Sequence, residues 1–238
     1  AIVRIDQQPA FVLHARPYRE TSLLLECMTR DHGRLGVVAR GVRSERGRAL
    51  RATLEPFQPL AMDLLLRGEL ATLRSVEPTG PVCRLAGDVG LAGLYLNELL
   101  VRMTGRQDPH AGLFDSYARA LVRLSAGESP AWSLRRFERD LLATLGYALV
   151  LEYEAGSGQP LDPDASYRYR AEHGPERCAP AASGALLGAW LLALANDLPP
   201  DAAGQQALRG MMREVIRFHL GGGELRSWHV LAGGISGR

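Results

Sequence analysis

Arg30, Arg34, Arg40, Arg43, Arg46, Arg48 and Arg51 crowd into one stretch of the chain that holds only two acids, Asp31 and Glu45. The stretch carries a local charge of +5 in a molecule whose formal total is +2, so the rest of the chain sums to −3. Guanidinium groups at this density suit a polyanion, because each phosphate they neutralise releases a condensed counterion. The simpler reading is a solvated basic loop.

The other side chains capable of chemistry do not converge. All 28 basic residues are arginine, with no lysine, so a P-loop lysine or a Schiff-base nucleophile is unavailable. Cys27, Cys83 and Cys178 are odd in number and have no CxxC spacing, which points to inert thiols rather than a zinc knuckle or a disulfide framework. His173 and Cys178 could share a metal, but two ligands do not make a structural site. Ala155-Gly156-Ser157-Gly158 has no following lysine, and Asp162 and Asp164 fall in a proline-containing turn. No GxSxG or HExxH motif occurs. The pattern reads as a binding protein, not an enzyme, with no metal and no cofactor.

The elements that must hold the arginines read as an α+β chain. Phe11–Leu13 leads to a turn around Pro17, and Ser22–Cys27, Leu35–Ala39, Leu60–Leu66 and Leu70–Val76 are further short apolar runs separated by turn signals. Five strands in about 80 residues suit an N-terminal five-stranded OB-fold β-barrel over residues 1–80. From residue 81 to 238 the period becomes helical. Apolar stripes include Ala92, Leu96, Leu99, Leu100 and Met103, then Phe114, Tyr117 and Leu121, then Leu134, Phe137 and Leu141. Gly105, Gly127 and Gly146 are placed as C-terminal caps, and Ser129-Pro130 as a helix start. An irregular insert at about 152–180 contains the strand-like Tyr167–Arg170. Helices are expected again over Gly184–Asn196 and Gln206–Leu220, with His219 packed or capping. The longest apolar run, Gly184–Ala195, is too short for a membrane span, and a cytoplasmic protein, nucleoid-associated if it binds DNA, is expected.

In order and spacing, these motifs resemble the RecO family of bacterial recombination mediators along nearly the whole chain. The residues carrying the resemblance are Arg16-Pro17-Tyr18, Glu20-Thr21-Ser22, Gly33-Arg34, Val38–Arg43, Leu54, Pro56-Phe57 and Leu73-Arg74. They continue through Tyr95, Asn97-Glu98-Leu99, Arg136-Phe137-Glu138, Leu145-Gly146-Tyr147, Ala155–Gly158, Pro160, Tyr167–Arg170 and His219–Gly222. The resemblance implies an OB-fold joined to a mostly α-helical C-terminal domain that works without nucleotide hydrolysis. It implies binding of single- and double-stranded DNA (ssDNA and dsDNA) and annealing of complementary strands. It also implies loading of RecA onto strands coated by the single-stranded DNA-binding protein SSB, with RecR as partner, the SSB C-terminal tail as docking ligand and a functional link to RecF. Many members carry a four-cysteine zinc module where this chain has Glu154–Pro180 and only Cys178, so this sequence resembles the metal-free branch. The basic residue before Gly41 is commonly lysine in the family and is Arg40 here, which keeps the charge.

On this reading Arg34, Arg40, Arg43, Arg46, Arg48 and Arg51 are the phosphate ligands, with Tyr18 as a stacking residue. Binding is then sequence-tolerant and steeply salt-dependent. For the SSB tail, an apolar pocket with a cation is required. Arg135 and Arg136, beside Trp132 and Phe137, are the candidates, Arg135 being favoured by the resemblance. The bland alternative pairs one of them with Glu138 or Asp140. Three other classes compete: an RNA-binding OB-fold protein sensitive to the 2′-OH, a hydrolase with an unrecognised site, and an adaptor whose arginines meet an acidic protein.

Overall fold

The computed structural model describes residues 1–110 and 112–234. Its contacts divide the chain into two compact units: Ala1–Ala126 with the segment from Leu225 onward, and Gly127–Glu224.

The first unit begins with β1 (Ile2–Tyr18), β2 (Ser22–Thr29) and β3 (Gly33–Ala39). A single 3-10 turn, Glu45–Gly47, and α1 (Arg48–Thr53) precede β4 (Leu60–Arg67) and β5 (Leu70–Pro78). The strands close a barrel in the order β1-β2-β3-β5-β4, and only β3 and β5 run parallel. This is the expected OB-fold. Period-two alternation fills its interior, with Val12, Leu25, Val37, Met62 and Leu64 all at 1% exposure or less. Each such aliphatic side chain contributes about 1.5–3 kcal/mol.

The turn expected around Pro17 is not there. β1 runs on to Tyr18 and turns at Arg19, whose φ is 54°. Past Ala10, β1 is paired with β2 alone, and a strand tolerates proline where one side is an open edge.

Helices α2 (Gly87–Met103), α3 (Leu113–Ser125) and α7 (Arg226–Gly234) belong with the barrel. Phe11 of β1 packs against Phe114 and Tyr117, with ring centroids 5.3 and 5.1 Å apart. Asn97 locks α2 in place, donating to the Leu13 carbonyl at 3.2 Å and accepting the Tyr117 hydroxyl at 2.5 Å. The barrel ends at Pro78, but compactness does not divide the chain there. The segment after residue 80 and the C-terminal helix pack with the barrel, so the helical region of 81–238 contributes to both compact units. Gly105 does not cap α2, whose C-cap Thr104 is extended; Gly127 follows α3, and Gly146 the helix that ends at Thr144, both with left-handed φ.

The second unit holds α4 (Pro130–Thr144), α5 (Gly188–Ala195), α6 (Ala202–His219) and a sheet in the order β7-β6-β8, namely Gly174–Arg177, Ser166–Arg170 and Leu186–Leu187. The helix expected from Gly184 therefore starts four residues late, because Leu186 and Leu187 are taken up in pairing with Tyr167 and Ser166. Ala155–Gly158 is a tight turn, with Gly158 N–H donating to the Glu154 carbonyl at 3.0 Å and Ser157 Oγ to its carboxylate at 2.9 Å. Tyr167 and Arg177 donate to the same carboxylate at 3.0 and 2.9 Å, which ties the insert to its sheet. No helix among the described residues is long and apolar enough to cross a membrane.

Candidate nucleic-acid interface

β3 delivers the arginine-rich segment. Ala39 ends the strand facing the core, and Arg40 follows exposed at the barrel rim. The segment then folds back on itself. Ser44 N–H and Oγ both reach the Gly41 carbonyl, at 3.2 and 2.6 Å, and Gly47 N–H reaches the Ser44 carbonyl at 3.1 Å. A Cβ at Gly47 would sit 2.2 Å from the Gly41 oxygen, so only glycine permits this close return. The result brings Arg46 and Arg48 back beside Arg40 and Arg43.

Arg43 fastens the segment to the β1–β2 turn. Its amide donates to the Thr21 carbonyl at 2.9 Å, and its guanidinium to the Arg19 and Glu20 carbonyls at 3.3 Å each. Arg40, Arg43, Arg46, Arg48 and Arg51 are all exposed. Among the described residues their only acidic ion-pair partner is Glu45, 3.7 Å from Arg48 and itself 94% exposed, a pair of marginal strength.

Three basic residues outside the expected set join them. Cross-strand partners share a face, so Arg16, Leu24, Val38 and Thr72 line the side of the sheet opposite the barrel core. Arg16 is exposed there; Arg40, just past the end of β3, and Arg74, at the β4–β5 register shift, are exposed beyond Val38 and Thr72. Arg19 adds a guanidinium 5.2 Å from the centroid of the half-buried Tyr18 ring. The signal for Arg16 and Arg74 lay in strand parity, but which strands are neighbours is a property of the closed barrel.

Arg34 is elsewhere. Its guanidinium is 11% exposed and meets the Glu26 carboxylate at 2.6 Å, the Thr104 carbonyl at 2.7 Å and the Thr104 hydroxyl at 3.2 Å. Arg106 holds the other oxygen of Glu26. Burial works against ionisation of Glu26, but hydrogen bonds from Arg106 and Arg34 outweigh it and hold the carboxyl below its ordinary range. Arg34 thus fastens the outer side of β3 to the segment after α2, with its charge engaged by Glu26.

The residues expected to receive an SSB tail are largely buried and their charges are engaged within the protein. Trp132 and Phe137 are 4% and 1% exposed. Arg135 makes two 2.7 Å bonds to Glu138 on the same helix, with both side chains buried. Arg136 bridges Glu128 at 2.8 Å and Asp197 at 3.3 Å. The pairing with Glu138 was foreseen as a surface contact, whereas it is a core one. A buried pair broken from one side leaves an uncompensated charge. Arg135→Ala is therefore expected to destabilise the second unit by about 3 kcal/mol in urea unfolding, and Arg135→Met with Glu138→Leu by much less. Equal stability of Arg135→Ala and the parent would show that the pair is not buried in solution.

The Cys27 thiol is fully buried, which pushes its pKa up and leaves it inert. Among the described residues no group of three His, Cys, Asp or Glu side chains could hold a metal ion.

Comparison with known proteins bears on this geometry. Residues 4–82 match the family model described as Recombination protein O N terminal, and residues 84–229 match Recombination protein O C terminal. The chain belongs to the RecO family of DNA repair proteins. Among its RecO relatives, the DNA repair protein RecO of Stenotrophomonas maltophilia (strain R551-3) is 47% identical over 231 residues, covering 95% of this chain and 96% of the relative. That of Xanthomonas euvesicatoria pv. vesicatoria is 46% identical over 232 residues with the same coverage. RecO membership accounts for the Asn97-Glu98 motif as structure: Asn97 ties α2 to β1 and α3, and Glu98 receives α7.

Proposed function

We propose that this protein acts in recombinational DNA repair by holding the sugar-phosphate backbones of ssDNA and dsDNA on the exposed arginine face of its barrel, annealing complementary strands without nucleotide hydrolysis. The observation that carries this reading is the set Arg16, Arg19, Arg40, Arg43, Arg46, Arg48, Arg51 and Arg74, gathered from three separate stretches of chain with Glu20 and Glu45 as the acids beside them. Such a face reads no base edges, so it suits a protein that must accept any sequence. It lowers the repulsion between two strands and lets them sample register until base pairing takes over. Tyr18, with Arg19 over one face of its ring, is a single stacking contact at the margin of that surface.

With RecR, the protein would help load RecA on SSB-coated ssDNA, with RecF acting in the same process. The SSB C-terminal tail is the docking ligand that raises the local concentration of the protein at its substrate. The tail site is not assigned to Trp132, Arg135, Arg136 and Phe137, whose apolar surface and charges are already used within the second unit. The test is annealing of complementary strands precoated with cognate SSB, without ATP, using SSB with and without its tail. Tail-dependent annealing is expected. Annealing indifferent to the tail would remove the docking step, and no annealing by folded protein would remove the reading.

A further inference from the structure

The second unit carries an exposed aromatic cleft that the barrel face does not use. The chain leaves α4 through Gly146, whose φ of +88° is a left-handed turn that favours glycine, and this turns Tyr147 outward. Tyr147 is 46% exposed and stacks on His219 in the last turn of α6, with centroids 4.2 Å apart and planes 30° apart. Phe218, 53% exposed, meets His219 edge-on at 5.3 Å. Three contiguous rings at the surface keep apolar area in water, which is characteristic of a contact surface.

Beside them opens a cleft of about 320 Å³ lined by Tyr147, His219, Val150, Val215, Tyr169 and Glu172. This lies within the ~300–1,000 Å³ range of small-ligand sites. Its polar groups are few and defined. The Tyr169 hydroxyl accepts the Val150 amide at 2.9 Å, which leaves its own proton to donate. Glu172 is exposed at the tip of the β6–β7 hairpin and makes no ion pair among the described residues. The nearby Arg170 is engaged with Glu176 at 3.2 Å. Burial lowers the His219 pKa, against an opposing pull from Glu172, so the imidazole is neutral at pH 7 and acts as a ring rather than a cation.

The cleft thus offers a flat π face, a carboxylate acceptor and the hydroxyls of Tyr147 and Tyr169, with no cation among its lining residues. That set rejects a phosphate or a peptide carboxylate. It complements a planar group with N–H donors on its edge. We propose that the cleft takes one unpaired base bearing an exocyclic amine from a single strand, stacking it on Tyr147 while Glu172 accepts its N–H. A cationic side chain of another protein is the weaker fit: base–aromatic stacking is worth about 1–3 kcal/mol, whereas a cation over an exposed ring gains about 0.5–1 kcal/mol. The proposal rests on the DNA-binding reading, since strand held on the barrel face presents its bases at high local concentration. It goes beyond that reading by adding base preference to a protein whose backbone contacts have none. Thymine carries a carbonyl where cytosine carries its amine, and its one edge donor, N3–H, lies between two carbonyl oxygens that Glu172 repels.

Binding of oligo(dC) and oligo(dT) of equal length at pH 7.5 tests this in the full chain. The wild type is expected to favour oligo(dC) about fivefold. Tyr147→Leu, which keeps apolar volume and loses the ring, is expected to weaken oligo(dC) binding about tenfold. Glu172→Gly, which suits a backbone φ of 64°, is expected to abolish the preference by bringing the oligo(dC) and oligo(dT) affinities together. Equal affinities in the wild type, or a preference that survives Glu172→Gly, would overturn the proposal. So would Glu172-dependent capture of an arginine peptide with oligonucleotide binding untouched. If neither oligonucleotide binds, the barrel reading fails on its own, and fluorescence of Tyr147→Trp titrated with cytidine still decides the cleft: quenching supports it and no quenching overturns it.

Discussion

Replacing Arg40, Arg43 and Arg46 together with alanine is expected to weaken ssDNA binding on the order of 100-fold at low salt, taking roughly 1 kcal/mol for each charge-assisted contact. The same variant should flatten the dependence of log K on log salt by about two units, since each phosphate contact on a single strand contributes roughly 0.7. Both effects follow from exposure: among the described residues these guanidinium groups have no acidic partner to leave, so their charge is available to phosphate. Arg43 has a second duty, because its guanidinium holds the Arg19 and Glu20 carbonyls. Arg43→Ala alone therefore separates the loosening of the β1–β2 turn from loss of charge, with circular dichroism as the check on fold. Arg34→Ala is the contrasting variant. It should lower stability, because Glu26 would lose one of its two guanidinium partners, while leaving the salt slope unchanged. A triple variant that keeps the parental slope would place the DNA on another surface.

Deleting the chain from Leu225 onward is expected to destabilise the barrel unit, although the deletion lies far from the barrel in sequence. Leu225, Trp228 and Leu231 are 0%, 5% and 9% exposed, and α7 lies on α2. Trp228→Ala alone should cost about 3–5 kcal/mol, the usual range for a large buried aromatic. Glu98 holds the start of this helix. Its carboxylate accepts the Arg226 and Ser227 amides at 2.6 and 2.9 Å and the Ser227 hydroxyl at 2.5 Å. Burial opposes its ionisation, but the Ser227 and Arg226 donors outweigh burial and hold the carboxyl below the ordinary glutamate range. A carboxyl lowered on folding contributes stability that is present above its unfolded pKa, about 4.3, and is lost as pH falls through the folded value. Thermal unfolding of the wild type and Glu98→Gln should therefore differ at pH 7 and converge in acid. A constant difference down to the acid limit would show that the carboxylate charge is not what caps α7.

The strands and most helices were legible because each shows its own period. Leu25 and Cys27, Leu35 and Val37, and Met62 and Leu64 alternate as half-buried strands must. Leu96, Leu99 and Leu100 repeat as a helix face must. Helix α7 went unread because it is short and follows Gly221–Gly223; its one signal is Leu225, Trp228 and Leu231 at spacings of three. The start of α5 was placed too early because Leu186 and Leu187 suit helix and strand equally, and pairing with β6 decides between them.

The arginine segment was equally legible, since charge is additive and needs no fold to be counted. What each arginine does was not. Arg34 and Arg40 lie six residues apart with the same side chain, yet one is sealed against Glu26 and Thr104 and the other stands in solvent. Arg135 and Arg136 look like paired surface cations and are both spent on carboxylates. Sequence alone thus determined the barrel-plus-helices class, the concentration of positive charge and the RecO resemblance, all of which rest on local pattern and order. Tertiary structure alone decided which guanidinium groups are engaged by carboxylates, that the strands carrying Arg16 and Arg74 flank those leading to Arg40, and that the C-terminal helix belongs to the first unit. Those depend on which strands become neighbours when the barrel closes and on which carboxylates burial brings within reach, and no spacing along the chain encodes either.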